Sequence, residues 1–292
     1  TVRSGQQSIF DIAGSADRVS ARDIRLDQAQ VQLSESLSGV PGLLIRDRQN
    51  FAQDLQLSIR GFGARSTFGV RGVRLYVDGI PATLPDGQGQ TSNIDLSSAD
   101  RVEVLRGPFS ALYGNSSGGV VQVFTEDGSG PPRVEAGSYF GAHDTTRTGA
   151  KISGSNDRIS YVLSGSHFHT DGWREHSRAD RDLFNAKLGF DLGGGDKITL
   201  VGNYVNVKAQ DPGGLDAAQV QADPRQSLLG EMYNTHKNVE QTQFGLTWDK
   251  HVGSNSRLQL MAYGGRRNME QFLPVPLGPQ ANPKHSGGVV GF

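Results

Sequence analysis

His167 and His169 stand two residues apart, a spacing that places two imidazoles on one face of a strand, where they could hold a metal ion. A closed site needs further ligands, and the sequence shows no recognisable third one, so no metal centre is expected. Arg60, Glu103 and Arg106 lie at or near the ends of apolar runs and invite an acid–base reading. Charges so placed more often pair with one another or with carboxylates of a neighbouring element, and structural or gating ion pairs are the role expected of them. Cysteine is absent, which removes thiol nucleophiles, thiolate metal sites and disulfides together. Gly61-Phe62-Gly63 and Gly87-Gln88-Gly89 do not extend to a G-x-G-x-x-G that opens a helix, and there is no Gly-Lys-Ser/Thr phosphate loop. Asn115-Ser116-Ser117 fits a glycosylation sequon, a tripeptide common by chance. No catalytic residue is expected, and the chain does not read as an enzyme.

The bulk properties narrow the class further. Lys and Arg number 29 against 30 Asp and Glu, so no basic field favours nucleic acid and no acidic run favours a solvated tail. No stretch approaches the ~20 apolar residues of a spanning helix. Residues 1–11 lack the continuous apolar core of a signal peptide. With 39 glycines and little helical periodicity, the 292 residues point to β structure with many turns.

Residues 1–20 are polar and weakly patterned and read as an extended lead-in. Between Asp23 and Val40, the run Ser34-Glu35-Ser36-Leu37 with Leu33 and Val40 at helical spacing predicts a short amphipathic helix, closed by Gly39 and Pro41. Strands follow at 43–46, 55–61 and 73–81, the last carrying an Asp78-Gly79 turn signal. Residues 101–125 then form a strand, a short helix over 109–113 ended by Gly114, and a second, strongly apolar strand over 120–124. Two polar loops, 62–71 and 82–93, punctuate this first unit.

Three motifs in this order are specific. Leu57-Ser58-Ile59-Arg60-Gly61, then Leu75-Tyr76-Val77-Asp78-Gly79-Ile80-Pro81, then Arg101-Val102-Glu103-Val104-Leu105-Arg106-Gly107-Pro108 with Ala111-Leu112-Tyr113-Gly114 and Gly118-Gly119-Val120-Val121 resemble the plug domain of TonB-dependent outer-membrane receptors. The resemblance implies a mixed α/β plug at 21–126, preceded by a lead-in at 1–20 that follows the TonB-box region. The box itself is not legible, and Thr1-Val2 would be its tail.

After Pro131-Pro132 the pattern changes to alternation. Phe184, Ala186, Leu188, Phe190 and Leu192 share one face of a strand, and Asn185, Lys187, Gly189 and Asp191 the other. Strands are predicted at about 133–141, 145–154, 157–169, 181–192, 196–208, 238–252 and 256–270, with an eighth from Gly287. A soluble sandwich would alternate too, but tight turns at 154–157, 193–196 and 253–256 exchange with long connections at 170–180, 209–237 and 272–285. That asymmetry belongs to antiparallel transmembrane β-barrel strands, with one exception, the short outer connection near 141–144. The expectation for 131–292 is an incomplete barrel, seven or eight of about 22 strands, and for the chain the N-terminal part of a longer receptor.

The resemblance further implies active uptake of an iron chelate, a ferric siderophore or ferric citrate, across the Gram-negative outer membrane. The chelate would be cargo and not a cofactor. Partners implied are TonB with its inner-membrane energising complex and outer-membrane lipid, for a monomer that binds no nucleic acid. By the same analogy the two polar loops face the extracellular vestibule. Arg65 and Arg71 would then supply charge-assisted hydrogen bonds, Ser66, Thr67, Gln88 and Gln90 neutral donors, and Phe68 an apolar wall. Trp173, Arg174, His176 and Arg178 in a long outer connection are secondary candidates. Uptake of another chelate, such as cobalamin, haem or a different metal complex, is the alternative, and a structural or adhesive barrel protein without transport the alternative class.

Overall fold

The computed structural model describes residues 15–66, 69–84, 87–107, 113–114, 116–253 and 256–273, and the backbone of 284–291. The lead-in residues 1–14, Thr67 and Phe68, Pro85 and Asp86, Pro108 with residues 109–112 of the helix expected over 109–113, Asn115 and the connection 274–283 lie outside the described residues. The first unit runs β1 (Ser15–Ser20), α1 (Ala21–Arg25), α2 (Ser34–Leu37), β2 (Leu43–Arg46), β3 (Gln56–Ile59), β4 (Val73–Val77), β5 (Ile80–Pro81), β6 (Ala99–Arg106) and β7 (Gly119–Thr125). Five of its strands form one mixed sheet in the order β1-β6-β7-β4-β5, in which only β4 and β7 are parallel. β2 and β3 form a separate antiparallel hairpin.

Period-2 alternation places the core. Val102 and Val104 of β6 are fully buried while Arg101 and Glu103, which alternate with them, are not. They pack with Ile24, Leu37, Leu57, Ile59, Val73, Leu75, Val121 and Val123 in one cluster. Gly119 enters β7 at φ +143°, and a Cβ there would lie 2.3 Å from the Leu105 carbonyl oxygen, so no side chain fits this crossing. At the β4–β5 turn Asp78 (φ +49°) and Gly79 (φ +82°) are both left-handed, as the expected Asp-Gly hairpin requires.

Two local differences from the sequence reading have clear causes. Ser15–Ser20, read as part of the extended lead-in, pairs with β6 through six residues, because a polar strand can hydrogen-bond to an open sheet edge without adding apolar surface. α1 was not expected. It is capped by the Ser20 hydroxyl, which accepts from the Asp23 N–H, and it stays separate from α2 because Asp27 and Gln30 take positive φ between them.

The second unit is a single antiparallel meander. It comprises β8 (Arg133–Gly141), β9 (Thr145–Ser155), β10 (Ile159–Thr170), β11 (Ala179–Gly193), β12 (Asp196–Gln210), α3 (Ala217–Ala222), α4 (Leu228–Tyr233), β13 (His236–Val252), β14 (Ser256–Leu273) and β15 (Lys284–Gly291). Each strand pairs with the next, and among the described residues the eight-stranded sheet does not close on itself. One face is greasy and exposed, with Phe140 at 74 %, Phe184 at 50 % and Phe244 at 64 %. The other face is buried against the first unit and mixed: Ser164, Arg181, Gln241 and Gln243 are polar, while Phe168, Leu183, Val205, Val207 and Val239 form an apolar cluster with Val31 and Ala52. At one end the turns are tight: Asn156 Oδ1 accepts from the Arg158 and Ile159 N–H groups, and Gly193, Gly194 and Gly195 are all left-handed. At the other end the connections 171–178 and 211–235 are long, and 142–144 is short, as expected.

Candidate functional site

A cleft of about 1000 Å³ opens where the first unit meets the long connections, and its size is at the upper end for small-molecule sites. Four parts of the chain line it: the β2–β3 connection, Gln88 from the second polar loop, the outer connections through Trp173, Arg174 and 211–214, and the upper ends of β13 and β14 through Lys237, Met269 and Leu273. The β2–β3 connection can reach it because that hairpin is tied to the wall on both sides. Asp211, only 6 % exposed, accepts from Asn50 Nδ2 at 2.8 Å and from Gln53 Nε2. Lys237 Nζ donates to Asp54 Oδ2 at 2.9 Å, and both side chains are nearly buried.

Among the described lining residues Asp47, Asp54 and Asp211 oppose Arg48, Arg174 and Lys237. The cleft is therefore close to charge-balanced, its walls made of amide side chains, backbone and the apolar Trp173, Met269 and Leu273. Burial pushes the Asp47 carboxyl up from its ordinary value, against hydrogen bonds from the Gln49 backbone and the Gln32 side chain. Such a lining suits a bulky ligand rich in acceptors but low in net charge.

Of the residues named from the sequence, Gln88, Trp173 and Arg174 come together at this cleft. Arg65 and Arg71 are exposed and do not line it, nor do Ser66 and Gln90. The Ser66 hydroxyl donates to the Gly69 carbonyl at 2.8 Å and closes its own loop, while Gln90 is 4 % exposed and donates its backbone N–H to Ala82. Thr67 and Phe68 lie outside the described residues. Arg174 acts as a clamp: its guanidinium donates to the carbonyls of Gly213 (2.5 Å), Pro212 (3.2 Å) and Gln226 (2.5 Å), and burial lowers its pKa. His176 Nε2 lies 2.8 Å from the Thr235 carbonyl, and exposed Arg178 pairs with Asp180 at 3.4 Å. Glu103 pairs with Arg101 at 2.8 Å, and Arg106 with Asp17 and the Pro41 carbonyl. These ion pairs lie within the first unit and do not reach the wall. Exposed Arg60, at φ +48°, donates its backbone N–H to Gly42.

The sequence reading missed the β2–β3 connection. Asp47-Arg48-Gln49-Asn50 is a polar run without glycine punctuation, and its one legible signal was its position between two strands. It also missed the surroundings of the histidines. His167 pairs with Asp182 at 2.7 Å, whereas His169 gathers Asp171 two residues on, Asp180 from the next strand and Asp144 from the preceding connection.

Below the cleft a polar seam joins the two units. Ser164 of β10 donates to Asp95 Oδ2 at 2.5 Å, and Ser97 donates to Oδ1 through its N–H (3.0 Å) and hydroxyl (2.7 Å). Burial works to raise the Asp95 pKa, but the hydrogen bonds from Ser164, Ser97 and Ser98 outweigh it, and the carboxyl sits below its ordinary value. Lys187 of β11 reaches Asp78 (3.2 Å), the Thr125 carbonyl (3.0 Å) and Asp127 (3.0 Å), and Lys151 of β9 reaches Glu126 at 2.7 Å. Against the effect of burial, Lys187 and Lys197 hold the Asp127 carboxyl below its ordinary range.

Residues 8–121 match the family described as TonB-dependent Receptor Plug Domain. The ferrienterobactin receptor of Escherichia coli (strain K12) is 27 % identical over 207 residues, covering 66 % of this chain and 26 % of that protein. The pesticin receptor of Yersinia enterocolitica is 33 % identical over 148 residues, covering 49 % of this chain and 21 % of that protein. The chain thus spans about a quarter of the length of these curated relatives. In fold it is similar to the crystal structure of a ferric citrate transporter in the unliganded form, with TM-score 0.76 and 21 % identity over 91 % of this chain and 41 % of that one.

Proposed function

We propose that this chain is part of a TonB-dependent receptor of the outer membrane, carrying its plug domain and an adjoining part of its barrel wall, and that the protein takes up an iron chelate by energised transport through TonB. The match of residues 8–121 to the plug-domain family and the fold likeness support this. The observation that carries the proposal is the cleft of about 1000 Å³, closed on one side by plug residues and on the other by outer connections. A ligand seated there touches both the part that must move and the part that stays, so its binding is coupled to the plug. Relatives named for ferrienterobactin and a structural neighbour named for ferric citrate support iron as the cargo metal. Barrel-wall charges and the plug seam hold the passage shut at rest, and a pull by TonB on the chain ahead of β1 would load the β1–β6 pairing first.

The near balance of charge in the cleft favours a chelate whose oxygen acceptors outnumber its formal charges. Arg48, Arg174 and Lys237 all lie among carboxylate or carbonyl oxygens, and the ligand meets mainly amides and the Trp173 ring. Ferric chelates titrated into the full-length receptor should quench Trp173 fluorescence saturably, and cells carrying the receptor should accumulate radiolabelled iron from the same chelate. Uptake that is unchanged after deletion of TonB would refute the transport mechanism. Quenching by metal-free chelator alone, or by no ferric chelate, would refute the cargo assignment.

A further inference from the structure

We propose that His169, Asp144 and Asp171 form a binding site for a divalent transition-metal ion, with Zn²⁺ the best match, at the outer rim of the wall. The site is separate from the cleft and does not depend on the transport proposal. One ligand atom from each of the three residues lies within 4.8 Å of the others. His169 Nε2 is 3.7 Å from Asp144 Oδ2 and 3.6 Å from Asp171 Oδ1. Ligand atoms on a tetrahedral zinc ion are about 3.4 Å apart, given bonds of about 2.1 Å. The carboxylates are 70 % and 59 % exposed at the side chain, so small torsions complete the approach without disturbing a packed core.

A second feature concerns the imidazole itself. His169 Nδ1 lies 2.7 Å from Asp180 Oδ1, on the strand opposite it in register. When Nδ1–H donates to that carboxylate, the tautomer is fixed with the Nε2 lone pair aimed at Asp144 and Asp171, the carboxylate–histidine–metal arrangement. The imidazole is 15 % exposed, so its orientation is held by the wall. His167, two residues away, has among the described residues one carboxylate partner, Asp182 at 2.7 Å, and is 53 % exposed, which makes it a natural control. One imidazole with two carboxylates favours zinc and its neighbours over calcium or magnesium, which prefer all-oxygen shells.

The backbone supports the same convergence. The Asp171 N–H donates to the His143 carbonyl at 2.9 Å, and the Thr145 and Thr170 hydroxyls are 2.7 Å apart. An ion here would staple the 142–144 connection to the base of the 171–178 connection, which carries Trp173 and Arg174 towards the cleft.

The test is calorimetric titration of Zn²⁺ into the full-length receptor in detergent, stripped of metal and of any histidine tag. The wild type should bind one ion that His169→Asn loses by at least about 100-fold, while Asp180→Asn weakens binding about 10- to 100-fold and His167→Asn leaves it unchanged. Asp171→Asn, at a side chain 59 % exposed, should also weaken it, and Co²⁺ on the wild type should give tetrahedral visible absorption. Amide exchange in 142–144 and 171–178 should slow on adding Zn²⁺. Equal binding by wild type and His169→Asn, or no binding by a wild type that still binds its chelate, would overturn the site and leave His169 as an ion-pair partner of its aspartates.

Discussion

Arg174 shows how a residue near a ligand cleft can act without being a ligand donor. Its three carbonyl partners come from two segments of the 211–235 connection, so its planar fork holds that connection's fold. Arg174→Lys keeps the charge but cannot span the three acceptors, and we expect chelate affinity to fall about as far as in Arg174→Ala. Faster amide exchange across 211–226 should accompany both. Rescue of affinity by lysine would mean that charge at the ligand is what matters. Asp95 is the opposite case, a charge kept by neutral donors. Asp95→Asn should cost about 1–3 kcal/mol of plug docking, because Ser164 and Ser97 lose a charged acceptor. Its folded pKa lies below the ordinary 3.8, so the ionised form stabilises the folded protein above the unfolded value, and this contribution is lost as pH falls through the depressed folded value. The difference in melting temperature between wild type and Asp95→Asn should therefore be full at neutral pH and close only in strong acid. A gap that instead closed between pH 5 and 7 would contradict the assignment.

Among elements, the decisive contacts are those that cross from plug to wall, and these were the least legible in the sequence. Alternation in 184–192 and 258–262 revealed both strands and faces, because a strand with lipid on one side and protein on the other must repeat every two residues. The Asp78-Gly79 turn was equally readable, since its left-handed angles restrict the residue types. Of the two polar loops expected at the ligand, 82–93 reaches the cleft through Gln88, but the larger share of the β2–β3 connection was not readable. Arg65 and Arg71 had suitable chemistry, but the cleft is built by 47–54, whose place follows from how the β2–β3 hairpin leans on β13 and on Asp211, a contact across more than 150 positions. His169 was legible as a metal-type residue and Asp171 lies only two residues on, but Asp144 on the preceding connection and Asp180 on the next strand come to it only through strand register. Lys187 is the most concentrated of the crossing contacts, joining the β4–β5 turn, the end of β7 and the linker to β8 through Asp78, Thr125 and Asp127. Lys187→Met leaves the nearly buried Asp78 without its cation and should cost about 3 kcal/mol. Amide exchange in β7 should rise, with β8 to β10 unaffected. Equal exchange in both units would show that the latch is not specific to the plug.

At the scale of the whole molecule the question is whether the plug leaves the wall as a body or deforms in place. The seam is polar at its base, with Ser164 on Asp95, Asn203 on the Asn93 carbonyl, Gln243 on the Pro81 carbonyl and Lys187 on Asp78, and apolar nearer the cleft, where Val31, Phe51 and Ala52 pack against Phe168, Leu183, Val205, Val207 and Val239. Hydrogen bonds of this kind exchange with water at modest net cost, about 1 kcal/mol each, whereas an apolar seam of equal area would resist wetting. The plug's own core, from Ile24 to Val123, is apolar and fully buried. Under the transport proposed above, a pull that first loads the β1–β6 pairing would then find the polar base of the seam easier for water to replace than its apolar patch or the plug core. These 292 residues hold no cysteine, so in a full-length receptor cleared of any cysteine elsewhere the prediction can be tested with the pair Asp95→Cys and Ser164→Cys, joined by a short reversible thiol-reactive cross-linker. If the plug's central sheet must separate from β10, cross-linked receptor should bind chelate normally but transport none, and reductant should restore uptake. If cross-linked receptor transports at the reduced rate, the Asp95 region stays docked and the passage opens by local unfolding nearer to β1.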